Sequence, residues 1–149
     1  MLEALSVAGR ENSNAAVMFH TAIGELMGLG MTEEKALDLL QRRGPMTAGE
    51  LAQQTGLAPA TVSGLIDRLE AKWLVRRVRD VKDRRRVIVE VNHEQLTGAE
   101  EVFGPFMTAL AALYDGYTDE QLELILDFLD RATAIQREAT AGLTALRTG

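Results

Sequence analysis

Basic residues are concentrated in one stretch of the sequence, where their spacing suits contact with phosphate groups. Residues 57–90 carry nine Lys or Arg against five Asp or Glu, a local charge of +4, whereas the rest of the chain carries −10. A duplex repels an acidic protein unless the positive charge is gathered on one surface. The pattern therefore predicts a basic working surface on an acidic scaffold. The alternative is a pair of strands whose charges only face water.

Other kinds of chemistry have little support in the residue types. The chain has no cysteine, which excludes a thiolate nucleophile, a thiol redox sensor and a disulfide framework. Its two histidines, His20 and His93, are distant in sequence and belong to no metal-binding or catalytic spacing. We therefore expect no catalytic residues, no metal and no cofactor, and an enzyme is the first competing class that the sequence disfavours.

The size and composition are those of one compact domain. The 149 residues are 46% hydrophobic and 26% charged, and at this length a chain can bury roughly 70% of the surface that it exposes when unfolded. The first ten residues include Glu3 and lack the basic start of a signal peptide. No apolar run reaches the roughly eighteen residues of a membrane span. These features predict a cytoplasmic protein with no membrane partner.

Helical periodicity covers most of the chain, with one interruption of β-type sequence. Before the interruption, the predicted helices cover residues 14–29, 33–43 with Thr32 as N-cap, 47–54 and 59–72. Enrichment in Val and Ile then predicts strands at 74–79 and 86–91, joined by a polar tip at 80–85. Helices return from about residue 92, with a kink at Gly104-Pro105 and a last helix from a Thr118 cap to Leu146. The predicted fold class is mainly α with a small β-hairpin.

The segment from Ala48 to Leu65 meets the requirements of a helix-turn-helix. Such a motif needs a small residue where two helices cross, a glycine in a left-handed turn and an apolar seam. Ala52 supplies the small contact and Gly56 the turn, and the seam consists of Leu51, Leu57, Val62 and Leu65. Any two-helix corner joined through glycine is the alternative. A basic hairpin directly after the second helix, however, is the arrangement of a winged helix.

These residues resemble the MarR-type (multiple-antibiotic-resistance) transcription regulators. The resemblance is carried by residues 37–91, above all by LAQQTGLAPATVSGLIDRLEAKWLVRRVRDVKDRRRVIVEV at 51–91. Within it, DRLEAK at 67–72 with LVRR at 74–77, and DVKDRR at 80–85, look like the end of the family's recognition helix and its wing. The order of the flanking helices also matches, so the resemblance covers nearly the whole chain.

The resemblance implies a single MarR-like domain over residues 1–149. Residues 31–92 would form the winged helix-turn-helix lobe, and residues 1–30 and 93–149 would form helices that pair two copies as a homodimer. The last helix supports the dimer independently, since its apolar stripe is longer than a domain of this size easily covers alone. The stripe comprises Leu122, Ile125, Leu126, Leu129, Ala132, Ile135, Ala139, Leu143 and Leu146. Packing against the first helix of the same chain is the alternative cover.

Double-stranded DNA is the partner that the resemblance implies, bound by the dimer at a pseudo-palindromic site with half-sites about 10 base pairs apart. The implied function is transcription regulation, more often repression than activation. A winged helix that binds protein instead of DNA is the second competing class. It has little reason to keep seven basic residues between Arg76 and Arg86.

Candidate DNA contacts follow from residue type. Small residues at the start of the second helix of the motif allow close approach to base edges, and the hydroxyls of Thr61 and Ser63 can donate or accept hydrogen bonds. Lys82 and Arg84 near the hairpin tip suit a narrow minor groove, and arginines on the strands suit phosphates. The predicted DNA-binding residues are Thr47, Pro59, Ala60, Thr61, Ser63, Gly64, Arg68, Arg76, Lys82, Arg84 and Arg86.

A bracing pair and an effector pocket complete the predicted site. Arg85 and Arg86 must point to opposite faces, so at least one should pair with Asp80 or Asp83. The resemblance favours Asp80 with Arg85 as the pair that braces the wing. It also implies that a small aromatic or amphipathic effector binds between the dimerisation helices and the lobe. The candidate residues there are Phe19, His20, Trp73, Phe106 and Tyr114, for which core packing is the alternative.

Trp73 departs from the family pattern, in which a glycine usually follows the recognition helix. The departure puts a left-handed helix end in doubt and predicts that the chain leaves the helix by burying the indole. Lining of the effector pocket is the other role open to Trp73.

Overall fold

The computed structural model describes residues 1–96 and 99–148, which form six α-helices, a two-stranded hairpin and a short 3-10 helix, His93–Leu96. The helices are α1 (Leu2–Met27), α2 (Met31–Arg43), α3 (Ala48–Thr55), α4 (Pro59–Ala71), α5 (Ala99–Tyr114) and α6 (Asp119–Thr148). The strands are β1 (Val75–Arg79) and β2 (Val87–Val91). The predicted fold class is confirmed. Among the described helices, none combines the length and apolar composition of a membrane span.

Two helix starts differ from the predictions. Helix α1 begins at Leu2 rather than near residue 14, because residues 1–16 are exposed all round and burial imposes no apolar periodicity on them. The N-cap of α2 is Gly30 and not Thr32, since the Gly30 N–H donates to the Glu33 carboxylate at 3.4 Å. The last helix starts as predicted.

At that start, Thr118 and Gln121 cap α6 reciprocally. The Thr118 hydroxyl accepts the Gln121 N–H at 3.3 Å, and the Gln121 side chain accepts the Thr118 N–H at 2.9 Å. Helix α5 continues through Pro105, the position of the predicted kink.

The hydrophobic core lies in the lobe formed by α2, α3, α4 and the hairpin. Its most deeply buried large side chains are Leu37, Leu40, Leu51, Val62, Leu65, Ile66, Leu69 and Val89. Burying one such side chain stabilises the fold by about 1.5–3 kcal/mol, so α4, which contributes four of them, is held firmly in the lobe. The first half of α1 and most of α6 remain outside this core.

The hairpin is attached to the lobe through the backbone. Strands β1 and β2 pair antiparallel, with Val75 opposite Val91 and Arg79 opposite Val87. Met46, just before α3, adds a bridge to Val89: its N–H donates to the Val89 carbonyl at 3.2 Å, and the Val89 N–H donates back at 2.8 Å. The sequence predicted the hairpin but not this bridge, which fixes the hairpin relative to the helix-turn-helix.

Helix α4 ends in a left-handed turn at Trp73. The Trp73 N–H donates to the Glu70 carbonyl at 2.9 Å and the Leu74 N–H to the Leu69 carbonyl at 3.1 Å, the two bonds of a Schellman motif. Trp73 has φ 61° and its side chain is 74% exposed, so the prediction of a buried indole without a left-handed end is wrong. The turn is required because Leu69 and Leu74 both enter the core on either side of it.

Candidate nucleic-acid interface

Helix α3 is positioned by a capping box. The Thr47 hydroxyl accepts the Glu50 N–H at 3.1 Å, and the Thr47 N–H donates to Oε2 of Glu50 at 2.7 Å. The pKa of Glu50 is lowered, chiefly by that hydrogen bond from the Thr47 backbone; desolvation opposes the shift, and the charge and hydrogen bond of Arg86 add to it. The structure thus gives Thr47, a predicted DNA contact, a defined role as a helix cap.

Helix α4 presents a small, polar face at its N-terminal end. Pro59, Ala60, Thr61 and Ser63 are exposed, whereas Val62 between them is buried in the core. Gly64, one turn further on, is partly exposed. In the part of the chain that the structure describes, the Thr61 and Ser63 hydroxyls have no partner. This face therefore has the residue types and the accessibility that reading of base edges in the major groove requires.

Two of the three arginines of β1, Arg76 and Arg77, are paired with carboxylates. Nε of Arg76 lies 2.5 Å from Oε1 of Glu90, the residue directly opposite it on β2. Arg77 donates to Asp67 at 2.6 Å and to Glu70 at 2.5 Å, so it joins the hairpin to the end of α4. Burial lowers the pKa of Arg77, but these carboxylates outweigh it and raise the pKa. Arg76, a predicted DNA contact, is thus partly neutralised.

The wing tip keeps its positive charge. Among the described residues, the side chains of Lys82, Arg84 and Arg85 have no carboxylate within 4.0 Å. Arg79 donates to the Arg84 carbonyl at 2.9 Å, which supports the backbone of the tip. Val81 at the same tip is 94% exposed. The uncompensated cations of the hairpin are therefore gathered where the wing projects farthest from the core.

The pair that braces the wing involves Arg86 instead of the predicted Arg85. Nη1 of Arg86 lies 3.8 Å from Oδ2 of Asp80, and its Nη2 donates to Oε1 of Glu50 at 2.8 Å. The Asp80 N–H donates to the Arg86 carbonyl at 2.9 Å, so the two residues are also joined through the backbone just beyond the paired strands. Arg86, a predicted DNA contact, thus connects the wing to α3.

Arg68 connects α4 to α2. Its Nε donates to Oε1 of Glu33 at 2.6 Å, and Lys72 adds an ion pair to the other oxygen of Glu33 at 3.5 Å and a hydrogen bond to the Gly28 carbonyl. Burial raises the pKa of Glu33, but the hydrogen bonds from Arg68 and the Gly30 N–H, with the charges of Lys72 and Arg68, lower it overall. The side chain of Arg68 remains 55% exposed, so part of it is still accessible beside the start of α2.

The neighbouring carboxylate connects α2 to α1. Glu34 is 2% exposed, and its Oε2 lies 2.7 Å from Nδ1 of His20. Beside it, the ring of Phe19 packs against three aromatic rings, with centroid distances of 5.6 Å to His20, 6.1 Å to Phe103 and 4.7 Å to Phe106. Three predicted effector-pocket residues, Phe19, His20 and Phe106, are thus brought together where α1 meets α5.

The other two predicted pocket residues lie elsewhere. Trp73 is exposed at the end of α4. Tyr114 lines a largely apolar cleft of about 480 Å³ with Leu122, Ile125, Leu126 and Leu129 of α6. The five residues therefore do not form one pocket in this chain, because α5 separates Phe106 from Tyr114 by two turns.

The carboxylates that hold the basic residues are the functional feature that sequence reasoning missed. Glu33, Glu34, Glu50 and Glu90 each pair with a basic or imidazole side chain from another element. Only the spacing of Thr47 and Glu50 carried a sequence signal, and it indicated the cap and not the pair with Arg86. Within the described residues, no cluster of His, Asp or Glu could hold a metal ion.

Comparisons with known proteins agree with this geometry. The model of the MarR family matches residues 29–87. An uncharacterized HTH-type transcriptional regulator of Bacillus subtilis, YcgE, is 39% identical over 129 residues, 87% of this chain and 84% of its own length. The transcriptional repressor NicR of Pseudomonas putida is 42% identical over 52 residues, 35% of this chain and 33% of its own.

A solved structure supports the fold in the same way. The structure of a MarR family protein from Bacillus stearothermophilus superposes with a TM-score of 0.65 at 24% identity, covering 91% of this chain and 94% of that one. The superposition includes the helices outside the lobe as well as the lobe itself, because it extends over nearly the whole of both chains.

Proposed function

Because the chain belongs to the MarR family of DNA-binding transcription regulators, we propose that it binds a pseudo-palindromic operator as a homodimer and represses transcription. Members of this family are regulators and not enzymes. The operator, the dimer and the sign of regulation are the parts that we propose here.

One observation carries the proposal: the accessible reading face and the uncompensated cations belong to one lobe, packed around one core. Thr61 and Ser63 are exposed at the start of α4, and Lys82, Arg84 and Arg85 keep their charge at the wing tip. The Met46 bridge and the Arg86 pair with Glu50 hold the wing against α3. The lobe can therefore contact base edges and the DNA backbone together: α4 would enter the major groove, and the wing would enter the adjacent minor groove.

A homodimer is supported by the surface of α6. Leu126, Leu129, Ile135 and Leu143 are each exposed over half or more of their surface, on a helix of 30 residues. A continuous apolar stripe of this length on an isolated chain favours cover by another protein surface. The sequence pattern of α6, an apolar stripe with a polar opposite face, suits a second copy of the same helix. Two lobes related by a two-fold axis would then meet half-sites about 10 base pairs apart.

Repression is the direction that the relatives favour, since NicR, which matches this chain over about a third of its length, is named a repressor. Release by a small aromatic or amphipathic effector is supported by the cluster of Phe19, His20 and Phe106. This cluster lies beside Glu34 of α2, so a ligand inserted there would act on the contact between α1 and the lobe.

Selection of duplexes from a random-sequence pool by the purified protein, near physiological salt, tests the proposal. Enrichment of a two-fold-symmetric motif with half-sites one helical turn apart is the expected result. Weak binding without enrichment that disappears as salt rises would leave a nonspecific basic surface and favour a protein-binding winged helix. The Lys82→Ala and Arg84→Ala double variant serves as control, because it retains the lobe and lacks two cations of the wing tip.

A further inference from the structure

The C-terminal end of α6 is seated on the turn of the helix-turn-helix. The Thr144 hydroxyl donates to the Gly56 carbonyl at 2.9 Å. A Cβ added to Gly56 would lie 3.0 Å from Thr140 and 3.2 Å from the Arg137 carbonyl. This approach is close enough that only glycine fits without displacement, so α6 contacts the turn directly.

This seat brings a distant basic residue to the start of the recognition helix. Arg147 lies three residues after Thr144 and therefore on the same side of α6. It lines a cleft of about 240 Å³ together with Ala60 and Thr61 of α4. Leu57, Ala58 and Thr144 form the rest of the cleft. Arg147 thus lies next to the residues that are expected to face base edges.

The helix-turn-helix itself supplies no cation at the start of α4. From residue 44 to residue 67 the chain has no Lys or Arg, and it has two acidic residues, Glu50 and Asp67. The next basic residue, Arg68, is held by Glu33 at 2.6 Å. A duplex that reached Thr61 would therefore meet a helix-turn-helix without a positive charge of its own at that end.

Arg147 is available for such a contact. It is exposed, and no carboxylate lies within 4.0 Å of its side chain in the part of the chain that the structure describes. Its neighbour Leu146, 79% exposed, belongs to the apolar stripe, and consecutive residues of a helix point about 100° apart. The side chain of Arg147 therefore faces away from the stripe and toward the lobe.

We propose that Arg147 contacts the DNA backbone beside the major groove that α4 enters, making the end of α6 part of the nucleic-acid interface. This inference rests on the proposed function. The major groove is about 12 Å wide, so the phosphates that border it lie close to a helix whose Thr61 touches the base edges. A long arginine next to Thr61 is then placed to neutralise one of them.

The test measures the salt dependence of binding to a mixed-sequence duplex of about 30 base pairs, long enough for two half-sites. For Arg147→Ala, the slope of log K against log salt should fall by about one unit. When the salt concentration rises fourfold, the wild type should therefore lose roughly 3.5 times more affinity than the variant does. Arg147→Lys, which keeps the charge, should restore the slope.

Arg131→Ala is the matched control, because it removes one arginine from the same helix at an exposed position paired with Asp127 at 3.5 Å. Its slope should equal that of the wild type. If Arg147→Ala behaves like this control while Arg84→Ala lowers the slope, the inference is overturned and the proposed function stands. If the wild type does not bind the duplex at all, the proposed function and the inference about Arg147 fail together.

Discussion

Arg68 of α4 and Glu33 of α2 are joined by a 2.6 Å hydrogen bond between Nε and Oε1, although 35 residues separate them. Glu33 is only 7% exposed, and its neighbour Glu34 binds His20 of α1 at 2.7 Å. Two adjacent carboxylates at the start of α2 thus hold the recognition helix on one side and α1 on the other. A displacement of α1 would act on α4 through this short segment.

The pKa of Glu33 predicts how stability changes with pH. Because the pKa is lowered on folding from its ordinary 4.5, the ionised carboxylate stabilises the fold above that value, and this stabilisation is lost as pH falls through the folded pKa. Glu33→Gln should therefore lower the urea midpoint at pH 7, and the difference from the wild type should shrink toward about pH 3. Glu94→Gln, at an exposed position, is the control and should change the midpoint little. A difference for Glu33→Gln that is equal at both pH values would contradict the linkage.

Trp73 predicts a stabilising substitution. A non-glycine residue in the left-handed region costs roughly 1–2 kcal/mol, and the indole, 74% exposed, recovers little by burial. Trp73→Gly should raise the free energy of unfolding by about 1 kcal/mol after the entropy cost of glycine. Trp73→Ala, which keeps a Cβ, should bring no such gain. The difference between the two variants in urea unfolding isolates the backbone effect, and equal values would disprove it.

Gly56 predicts a destabilising substitution at the turn. Its φ of 73° is unfavourable for alanine, and the added Cβ would approach Thr140 to 3.0 Å. Gly56→Ala should lower the free energy of unfolding by about 2 kcal/mol. In Gly64→Ala, the new Cβ lies 3.5 Å from Arg68 inside a helix, so this control should be neutral or stabilising by up to about 1 kcal/mol. Thermal unfolding of both variants checks the contrast, which would be refuted by equal losses.

Thr61 and Arg84 should have separable effects on DNA binding. Arg84→Ala should weaken binding to all duplexes and reduce the salt slope by about one unit, because it removes a backbone contact. Thr61→Ala should mainly reduce the ratio of affinities for a selected and a random duplex, since the hydroxyl faces base edges. Val81→Ala, at an exposed and uncharged position of the same tip, is the control. If Thr61→Ala lost the same affinity for the selected and the random duplex, the assignment of base reading to Thr61 and backbone contact to Arg84 would be wrong.

Leu129 should be required for the dimer. It is 50% exposed in the single chain and lines the apolar cleft with Tyr114. A buried, unpaired carboxylate there is strongly unfavourable, so Leu129→Asp should give monomers in sedimentation and lose affinity for the selected duplex. Leu124→Asp makes the same chemical change at a residue of α6 that is 71% exposed and outside the stripe, and it should leave the dimer intact. An unchanged dimer for Leu129→Asp would reject this interface.

Much of the lobe could be predicted from short sequence patterns. The Thr47 and Glu50 spacing, the turn at Gly56 and the enrichment in Val and Ile at 74–79 and 86–91 act over a few residues, and the structure contains the elements that they predicted. The long exposed start of α1 could not be found in this way. Its side chains face solvent on all sides, so no buried face imposes a period on its sequence.

The candidate site was predictable as a region but not in its charge balance. The sequence located nine basic residues between positions 57 and 90. The structure showed that Arg68, Arg76 and Arg86 are held by carboxylates 35, 14 and 36 residues away. Such pairs depend on the angle and distance at which whole elements pack, which local spacing does not contain.

The sequence alone thus determined the helix-turn-helix, the basic wing and the family, because capping, turns and periodicity are properties of neighbouring residues. Only the tertiary structure decided which cations remain uncompensated, and which residues stand beside the recognition helix. Thr144 meets Gly56 across 88 positions of sequence and brings Arg147 next to Thr61. The physical reason is that these contacts depend on how whole elements pack: the Thr144 hydrogen bond and the close approach of Thr140 to Gly56 seat the end of α6 beside α4, and local spacing does not contain that packing.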